Sequence, residues 1–137
     1  MISGRREAAG IGARRAELDA VTEKVIGGAH AVSNALGSGF LEKVYENALA
    51  LELRHAGLEV EQQCRIEVRY RDEVVGDYVA DLLVEGCVIV EVKSVRALDE
   101  IHAAQCLNYL RATGLQICLL LNFGSPKVGV KRVVHGF

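Results

Sequence analysis

The sequence lacks several features that would point to particular classes of protein. It has no Trp, only 5% aromatic residues and a single Pro, so no aromatic platform for stacking single-stranded nucleic acid is visible. No apolar run approaches the ~18 residues of a membrane span and no hydrophobic leader core is present, so we expect a cytoplasmic protein without a membrane partner. A formal net charge of -2 argues against coating nucleic acid by bulk attraction alone.

The cysteines and histidines do not form a recognisable metal-binding pattern. The four cysteines contain no CxxC or CxxH spacing, and each lies in an apolar stretch, which indicates reduced, buried thiols rather than a zinc site. The histidines show no HExxH arrangement, and the chain has neither a GxSxG elbow nor a GxxxxGK[ST] loop. The common signatures of zinc hydrolases, serine hydrolases and P-loop proteins are therefore absent.

Composition and charge suggest one domain with a local acidic site. Half of the 137 residues are hydrophobic, enough for a single core. Residues 1–15 carry four Arg and one Glu without apolar periodicity, which predicts a mobile basic tail before a domain at 16–137. Residues 16–61 hold eight acids and three bases, and residues 123–137 hold three bases and no acid. Acids between basic flanks weakly favour a metal-dependent enzyme that acts on a polyanion.

Hydrophobic periodicity predicts eight elements in the order α, α, β, β, β, α, β, β. The helices are predicted at about 18–36, 40–55 and 98–113, with glycines as stop signals. The strands are predicted at about 64–70, 74–84, 87–92, 115–121 and 128–134. Helices before and after a strand meander imply an α/β fold, in which a mixed sheet of about five strands is flanked by helices.

The most informative feature is a pair of acids in otherwise apolar strands, Asp81 and, ten residues later, Glu91 in a Glu91-x-Lys93 pattern. Buried acids need partners, and a shared cation would supply one. Alternation along a strand makes Glu91 and Lys93 project together with Ile89. The turn near Gly86 decides whether Asp81 joins them. A two-residue loop points Asp81 away from Glu91 and a three-residue loop pairs them, so a site requires the second register.

Carboxylates on neighbouring strands suit the hydrolysis of a phosphodiester. Mg²⁺ prefers carboxylate oxygens and usually takes one or two of them together with water and substrate phosphate, which Asp81 and Glu91 can supply. The ion, Mg²⁺ or Mn²⁺, would activate water, while Lys93 would orient that water or stabilise the pentacovalent phosphate. The ordinary alternative is an exposed salt bridge between Lys93 and one acid, and these three residues alone favour the two interpretations about equally.

The second predicted helix adds two candidates. Glu42 and Tyr45 lie three residues apart, on or beside the predicted apolar face of Leu41, Val44, Tyr45, Ala48 and Leu49. An acid on that side is costly unless it points into a site. By itself, a solvated Glu in the first helical turn is the more common outcome.

The third predicted helix carries a polar stripe. His102, Gln105 and Tyr109 follow at i, i+3 and i+7, beside a predicted core face of Ile101, Ala104, Leu107 and Leu110. Such a stripe can hydrogen-bond a phosphate or a metal-bound water. Taken alone, it is more often ordinary helix surface.

Together these residues resemble the GxxExxY proteins of the PD-(D/E)XK nuclease superfamily. The resemblance runs from about Val21 to the C-terminus and rests on Gly39-x-x-Glu42-x-x-Tyr45, Asp81, Glu91-x-Lys93 and Gln105-x-x-x-Tyr109 in this order. It implies a restriction-endonuclease-like core with the acids on adjacent strands. Ala80 stands where the superfamily's name has proline, a position without a role in metal binding.

The resemblance also implies roles for the individual residues. Asp81 and Glu91 correspond to the metal ligands, Glu42 to a further catalytic acid and ligand, and Lys93 to the catalytic lysine. Gln105 and Tyr109 match an element of the RecB-like exonuclease branch that helps to place substrate. Tyr45 and His102 are additional candidates for positioning substrate.

The function implied by the resemblance is that of a Mg²⁺-dependent nuclease, and we favour DNA over RNA as its substrate. A homodimer is compatible with the sequence. Two alternatives stay open. One is a non-catalytic module that binds nucleic acid or a protein partner on the same fold, with a steep salt dependence where nucleic acid is bound. The other is a metal-dependent hydrolase of small phosphate esters.

Overall fold

A mixed five-stranded sheet with helices on both faces forms the protein. The computed structural model describes the backbone of residues 11–136 and the side chains of residues 14–136. The helices are α1 (Ile11–Leu36), α2 (Glu42–His55) and α3 (Glu100–Thr113). The strands are β1 (Val60–Tyr70), β2 (Glu73–Val84), β3 (Val88–Lys93), β4 (Ile117–Asn122) and β5 (Gly129–Val134). The predicted order of elements is confirmed.

The strands lie in the order β1-β2-β3-β4-β5. β3 and β4 run parallel because α3 connects them, and the other neighbouring strands are antiparallel. The predicted mixed α/β sheet is therefore confirmed. None of the helices in residues 11–136 is long and apolar enough to cross a membrane.

The sheet separates two hydrophobic cores. α1 and α2 pack against one face, where Val88, Val90 and Val92 of β3 point. α3 packs against the other face, to which Ile89 belongs. Because β3 is buried on both faces, its sequence is apolar without alternation, as expected for a central strand. The four cysteines are free and buried, in agreement with the prediction: Cys64, Cys87, Cys106 and Cys118.

Helix α1 begins earlier than the sequence indicated. It starts at Ile11, so residues 11–15, which were predicted to belong to a mobile tail, are helical. Packing near β4 offsets the poor helix propensity of Gly12, since Leu18 is buried and Arg14 Nε donates to Gln116 Oε1 at 3.4 Å. The rest of the predicted tail, residues 1–10, lies outside the described residues.

The buried face of α2 differs from the predicted one. Leu41 is 79% exposed and Val44 is half-exposed. Tyr45 and Leu49 of the predicted face are buried as expected, and Glu46, Ala50 and Leu53 are buried beside them. Apolar residues lie on several sides of this helix, so periodicity does not select one face. In the observed orientation of α2, Leu53 packs closely against α1 at Gly28. A Cβ added at Gly28 would lie 2.9 Å from Leu53 Cδ2.

The predicted core face of α3 is confirmed at Leu110 but wrong at Ile101 and Ala104, which are exposed. Ile101 is 76% exposed, and the helix buries Cys106, Tyr109 and Leu110. The helix is thus rotated so that Tyr109 points toward the sheet. Part of the polar stripe predicted to flank the core lies on the inward side of α3.

Candidate active site

The turn between β2 and β3 adopts the register that a site requires. Pairing begins at Val84 and Val88, so the loop has three residues. Glu85 and Gly86 both have positive φ, and Cys87 N donates to Val84 O at 3.1 Å. Cys87 is thus the third residue of the loop, and strand pairing begins again at Val88. Of the two registers that the sequence left open, the second is confirmed.

Continuing this register places Asp81 opposite Glu91. At this position, hydrogen bonds to the two side chains take the place of the main-chain hydrogen bonds between the strands. Asp81 N donates to Glu91 Oε2 at 2.8 Å, and Val92 N donates to Asp81 Oδ2 at 2.8 Å. Each carboxylate therefore accepts a hydrogen bond from the main chain of the other strand. The strands open at this point, and the two acids meet in the gap.

Burial and mutual repulsion disfavour the ionised form of both acids. Burial, followed by the negative charge of Asp81, raises the pKa of Glu91 to about 8. Burial also raises the pKa of Asp81, and the charge of Glu46 adds to that shift. The Lys93 ammonium acts in the opposite direction on both carboxyls. Two acids held this way in a low-dielectric site are stabilised by a cation.

Glu42 reaches the site from the first turn of α2. It is exposed, and its Oε2 accepts a hydrogen bond from Ser94 N at 3.1 Å, one residue beyond the end of β3. Ser94 Oγ donates to Phe40 O at 3.2 Å, which ties the segment before α2 to the same place. The charge of Glu42 also contributes to the raised pKa of Glu91. Helix and strand thus bring this third acid toward the pair.

Tyr45 is not available to contact a substrate. Its ring is fully buried and stacks on Phe123, with 4.7 Å between ring centroids. Its hydroxyl donates to Gly37 O at 2.6 Å and accepts from Phe40 N at 3.2 Å. The proposed positioning role is therefore corrected. Tyr45 holds the turn that precedes α2, and through it the start of the helix that carries Glu42.

Tyr109 and Gln105 lie on the side of α3 that faces the sheet. The Tyr109 hydroxyl donates to Val79 O at 3.4 Å, and burial together with the charges of Glu91 and Asp81 raises the pKa of Tyr109. Gln105 is half-buried and lines a cavity of about 290 Å³ beside Tyr109. Tyr109 is near the acids, and contact of Tyr109 and Gln105 with substrate stays a prediction.

His102 has a structural partner at the start of α3. Its Nδ1 accepts a hydrogen bond from Asp99 N at 3.1 Å, while Asp99 Oδ1 accepts from Ile101 N, so the two form a capping box. The same Nδ1 lies 3.5 Å from Asp99 Oδ1. The main-chain hydrogen bond to Nδ1 makes His102 part of the helix cap. Substrate positioning by His102 stays a prediction.

Glu46 and Gln63 are site residues that sequence reasoning missed. Glu46 is only 3% exposed, and with Glu42, Gln63 and Asp81 it lines a cavity of about 550 Å³ on the α2 side of the sheet. A Glu within a helix usually indicates solvent-exposed surface, so the residue type did not predict that Glu46 is buried. Its spacing of four residues from Glu42 was the available signal, because residues i and i+4 share a helix face.

Asn122 is a third missed residue. Buried at the end of β4, its side chain accepts from Val95 N and donates to Val95 O, both at 3.0 Å. Phe123 N donates to Lys93 O at 2.8 Å. The chain after β3 is therefore fixed on the β4 side by Asn122 and on the α2 side by Ser94. Lys93, the last residue of β3, directly precedes the segment that Asn122 and Ser94 hold in place.

The donor set fits a hard divalent cation. Asp81 and Glu91 offer carboxylate oxygens, the ligands that Mg²⁺ and Mn²⁺ prefer, and one or two carboxylates with water suffice for Mg²⁺. Among residues 14–136, no group of three or more His, Cys, Asp or Glu residues is arranged to hold a metal ion. Ligation of an ion by Asp81 and Glu91 stays a prediction. Direct ligation by Glu42 stays a prediction.

Comparison with known proteins agrees with this fold. The family model of the PD-(D/E)XK nuclease superfamily matches residues 19–133. The crystal structure of SSO0001 is similar, with a TM-score of 0.52 and 17% identity over 90% of this chain and 63% of that chain. An alkaline exonuclease, LHK-Exo from Laribacter hongkongensis, gives a TM-score of 0.46 and 12% identity over 87% and 82% of the chains. No curated protein matches. The likeness to SSO0001 shows a shared fold alone, and this chain spans less than two thirds of its length.

Proposed function

Because the chain belongs to the PD-(D/E)XK nuclease superfamily, we propose that it is a metal-dependent nuclease that hydrolyses phosphodiester bonds, with DNA favoured over RNA. One observation carries the proposal. Asp81 and Glu91 occupy opposite positions on two central strands, and each carboxylate is aligned by a main-chain N–H of the other strand. Such alignment has no use in a solvated ion pair, whereas a metal site needs ligands with fixed orientation.

The chain's own residues would divide the work as follows. Asp81 and Glu91 hold Mg²⁺ or Mn²⁺, which when bound lowers the pKa of water and polarises a phosphoryl oxygen. Glu91 must be ionised to hold the ion, and because burial raises its pKa to about 8, a bound cation would stabilise the ionised form that burial disfavours. Lys93 has no carboxylate within 4.0 Å among residues 14–136. Its ammonium is therefore free to stabilise negative charge on the phosphate.

The direct test is cleavage of labelled DNA and RNA in the presence of Mg²⁺ or Mn²⁺. We expect the wild type to cut, and Glu91→Ala and Lys93→Met each to reduce kcat at least about 100-fold, since each removes a charged group from the reacting centre. Lys93→Met keeps the length of the side chain and removes its charge. A preference for RNA over DNA would contradict the finer part of the proposal.

Matched control variants separate the site from general charge effects. Lys24 is an exposed lysine of α1 and Glu73 an exposed acid at the far end of the β1–β2 hairpin. Lys24→Met and Glu73→Gln should cleave at the wild-type rate. Equal cleavage by the wild type and the Glu91→Ala protein would mean that a contaminant is responsible, and the proposal would be wrong.

A non-catalytic nucleic-acid binding module is the second candidate, because residues 14–136 contain no group of three or more His, Cys, Asp or Glu residues arranged to hold a metal ion. Calorimetric titration with Mn²⁺ distinguishes the candidates. A nuclease of this kind should bind the ion through Asp81 and Glu91, and Asp81→Asn should abolish the heat. A binding module predicts no Mn²⁺ binding, and affinity for nucleic acid that falls steeply with salt.

A further inference from the structure

We propose that Gln63 is a positioning residue for Asp81, and that the buried Glu46 orients the Gln63 side chain for this purpose. The inference rests on the proposed function, because it assigns Asp81 to the metal site. It adds two residues, on β1 and on α2, that act through Asp81 rather than on the substrate. Three independent features of the structure support it.

The first feature is an interruption of the β1–β2 ladder beside Asp81. The register pairs Gln62 with Leu82 and Cys64 with Ala80, and the pair that would join Gln63 to Asp81 is missing from the ladder. Each pairing between β1, the edge strand, and β2 stabilises the sheet, so an omission next to a functional acid needs a cause. The interruption frees the side chains of Gln63 and Asp81 from regular alternation.

The second feature is the backbone conformation of Gln63. Its φ is +53°, in the left-handed region that residues with side chains seldom adopt. Glycine is the residue that suits this conformation, yet the chain has Gln there. Unfavourable backbone geometry persists where the surrounding structure and a side-chain role require it. The side chain of Gln63 is therefore the feature that the position requires.

The third feature is the set of hydrogen bonds. Gln63 Nε2 donates to Glu46 Oε1 at 2.7 Å and lies 3.5 Å from Asp81 Oδ1. Glu46 is nearly fully buried, and its other oxygen accepts from Gln62 Nε2 at 2.8 Å. The amide of Gln63 thus lies between two carboxylates, with its N–H groups directed to both. The contact with Asp81 favours the ionised form and opposes the rise in the pKa of Asp81 that burial causes.

A neutral amide suits this position better than a charged group. A lysine between Glu46 and Asp81 would neutralise the carboxylate that a cation has to share, and a third acid would repel both. The Gln63 amide donates to each acid without cancelling the charge of either. Asp81 Oδ2 is fixed by Val92 N and Oδ1 by Gln63, so both of its oxygens have a defined direction.

The test uses Gln63→Gly, which removes the amide and suits the left-handed backbone. Calorimetric titration of the whole chain with Mn²⁺ alone should show an affinity that is about tenfold weaker than in the wild type. The kcat for nucleic-acid cleavage should fall about tenfold, with KM changed less than about twofold, because Gln63 acts through the metal ligand and not on the substrate. Gln63→Asn is a second variant. Asn tolerates left-handed backbone, and its shorter amide does not bridge both acids, so the same losses are expected.

Gln62→Ala is the matched control. Gln62 donates to Glu46 and to Asn47 Oδ1, and within residues 14–136 no hydrogen bond joins it to Asp81. A purely structural role of the glutamines predicts that Gln62→Ala and the Gln63 variants lower the melting temperature without weakening Mn²⁺ binding. We expect Gln62→Ala to keep wild-type Mn²⁺ affinity and kcat within about twofold, since Glu46 keeps its contacts with Lys43 and Gln63, and the contact of Gln63 with Asp81 is unchanged.

The outcomes separate this inference from the proposed function. If the wild type binds Mn²⁺ and cleaves, but the Gln63 variants do so equally well, the role of Gln63 is refuted and the nuclease proposal stands. The same conclusion follows if Gln62→Ala loses as much affinity as Gln63→Gly. If the wild type neither binds Mn²⁺ nor cleaves nucleic acid, the proposed function and this inference fall together.

Discussion

Single buried polar groups decide much of this structure at the residue scale. Glu46, Glu91 and Asn122 are each at most 5% exposed, and each accepts hydrogen bonds from defined donors. Burial of such groups is costly unless their bonding capacity is met, so they fix local geometry strongly. They also lie around the proposed site, where geometry matters most.

The Tyr45 hydroxyl offers a test of its corrected role. Tyr45→Phe removes the hydrogen bonds to Gly37 O and Phe40 N and leaves the stacking on Phe123 intact. We expect the free energy of unfolding in denaturant to fall by about 1–2 kcal/mol, because the part-buried Gly37 carbonyl loses its donor and Phe40 N loses its acceptor. The KM for nucleic acid should stay unchanged. A large rise in KM without loss of stability would restore the substrate-contact role.

Thr22 provides a second test at this scale. Its Oγ1 is buried and has no hydrogen-bond partner among the described residues. Thr22→Val removes an unsatisfied polar atom, so the free energy of unfolding should rise by about 1 kcal/mol.

Ser33, also on α1, is the natural comparison for Thr22, because its Oγ accepts from Val128 N at 3.2 Å. Ser33→Ala should therefore lower the free energy of unfolding by about 1 kcal/mol. Denaturant titration of both variants gives the two values. Similar losses in both would show that Thr22 has a partner after all.

At the scale of elements, the connections on either side of β3 position the site. The three-residue loop before β3 sets the register of Asp81 and Glu91. The segment after β3 is held by Asn122, by Ser94 and by close packing at Gly124. These connections determine where the site residues lie, whereas β3 itself mainly buries them.

Gly124 tests this close packing. A Cβ added there would lie 2.0 Å from Val95 O, a main-chain atom that cannot move aside easily. Gly124→Ala should lower the free energy of unfolding by at least about 2 kcal/mol and disturb the exit of Lys93 from β3.

Gly27 is the control for Gly124, since it lies within α1 and nothing lies within 4 Å of an added Cβ. Gly27→Ala should raise stability by about 0.5–1 kcal/mol, because Ala favours the helix over Gly. Thermal unfolding measures both changes. Equal tolerance of the two substitutions would contradict the packing seen at Gly124.

At the scale of the whole molecule, the buried acids make the stability of the fold depend on pH. The pKa of Glu91 is raised from 4.5 to about 8 on folding. Between these values the folded chain binds a proton that the unfolded chain has released, so the contribution of Glu91 to stability is greatest below pH 4.5 and falls as pH rises to about 8. The raised pKa of Asp81 acts in the same direction.

Denaturant unfolding in a chelating buffer between pH 5 and pH 9 would measure this effect. Glu91→Gln should flatten the decline in stability and exceed the wild type at pH 9, because an amide does not ionise. The exposed Glu73 gives a control, and Glu73→Gln should leave the slope unchanged. An unaltered slope in Glu91→Gln would mean that Glu91 does not titrate in this range.

Metal addition should reverse that loss of stability. At pH 8, saturating Mn²⁺ should raise the melting temperature of the wild type, because an ion that binds only the folded state stabilises it by mass action. A concentration of about 100 times the Kd corresponds to about 2.7 kcal/mol. Removing the ion with a chelator should restore the lower value. Asp81→Asn should show no Mn²⁺-dependent shift.

The sequence by itself determined the order of elements, the mixed sheet and the acids on its central strands. Local periodicity carries this information, since two-residue alternation and a helical repeat follow directly from backbone geometry. The strand acids stood out because Asp81 and Glu91 interrupt apolar runs. These inferences need no knowledge of distant contacts.

Tertiary structure alone decided which faces of α2 and α3 are buried, which register joins β2 to β3, and that Gln63 takes a left-handed backbone. It also placed Glu46 inside the molecule and gave Tyr45 a structural hydroxyl. Each of these depends on residues far apart in the chain that compete for the same space and the same hydrogen bonds. Such competition has no local signature, because its outcome is set by packing after the elements have formed.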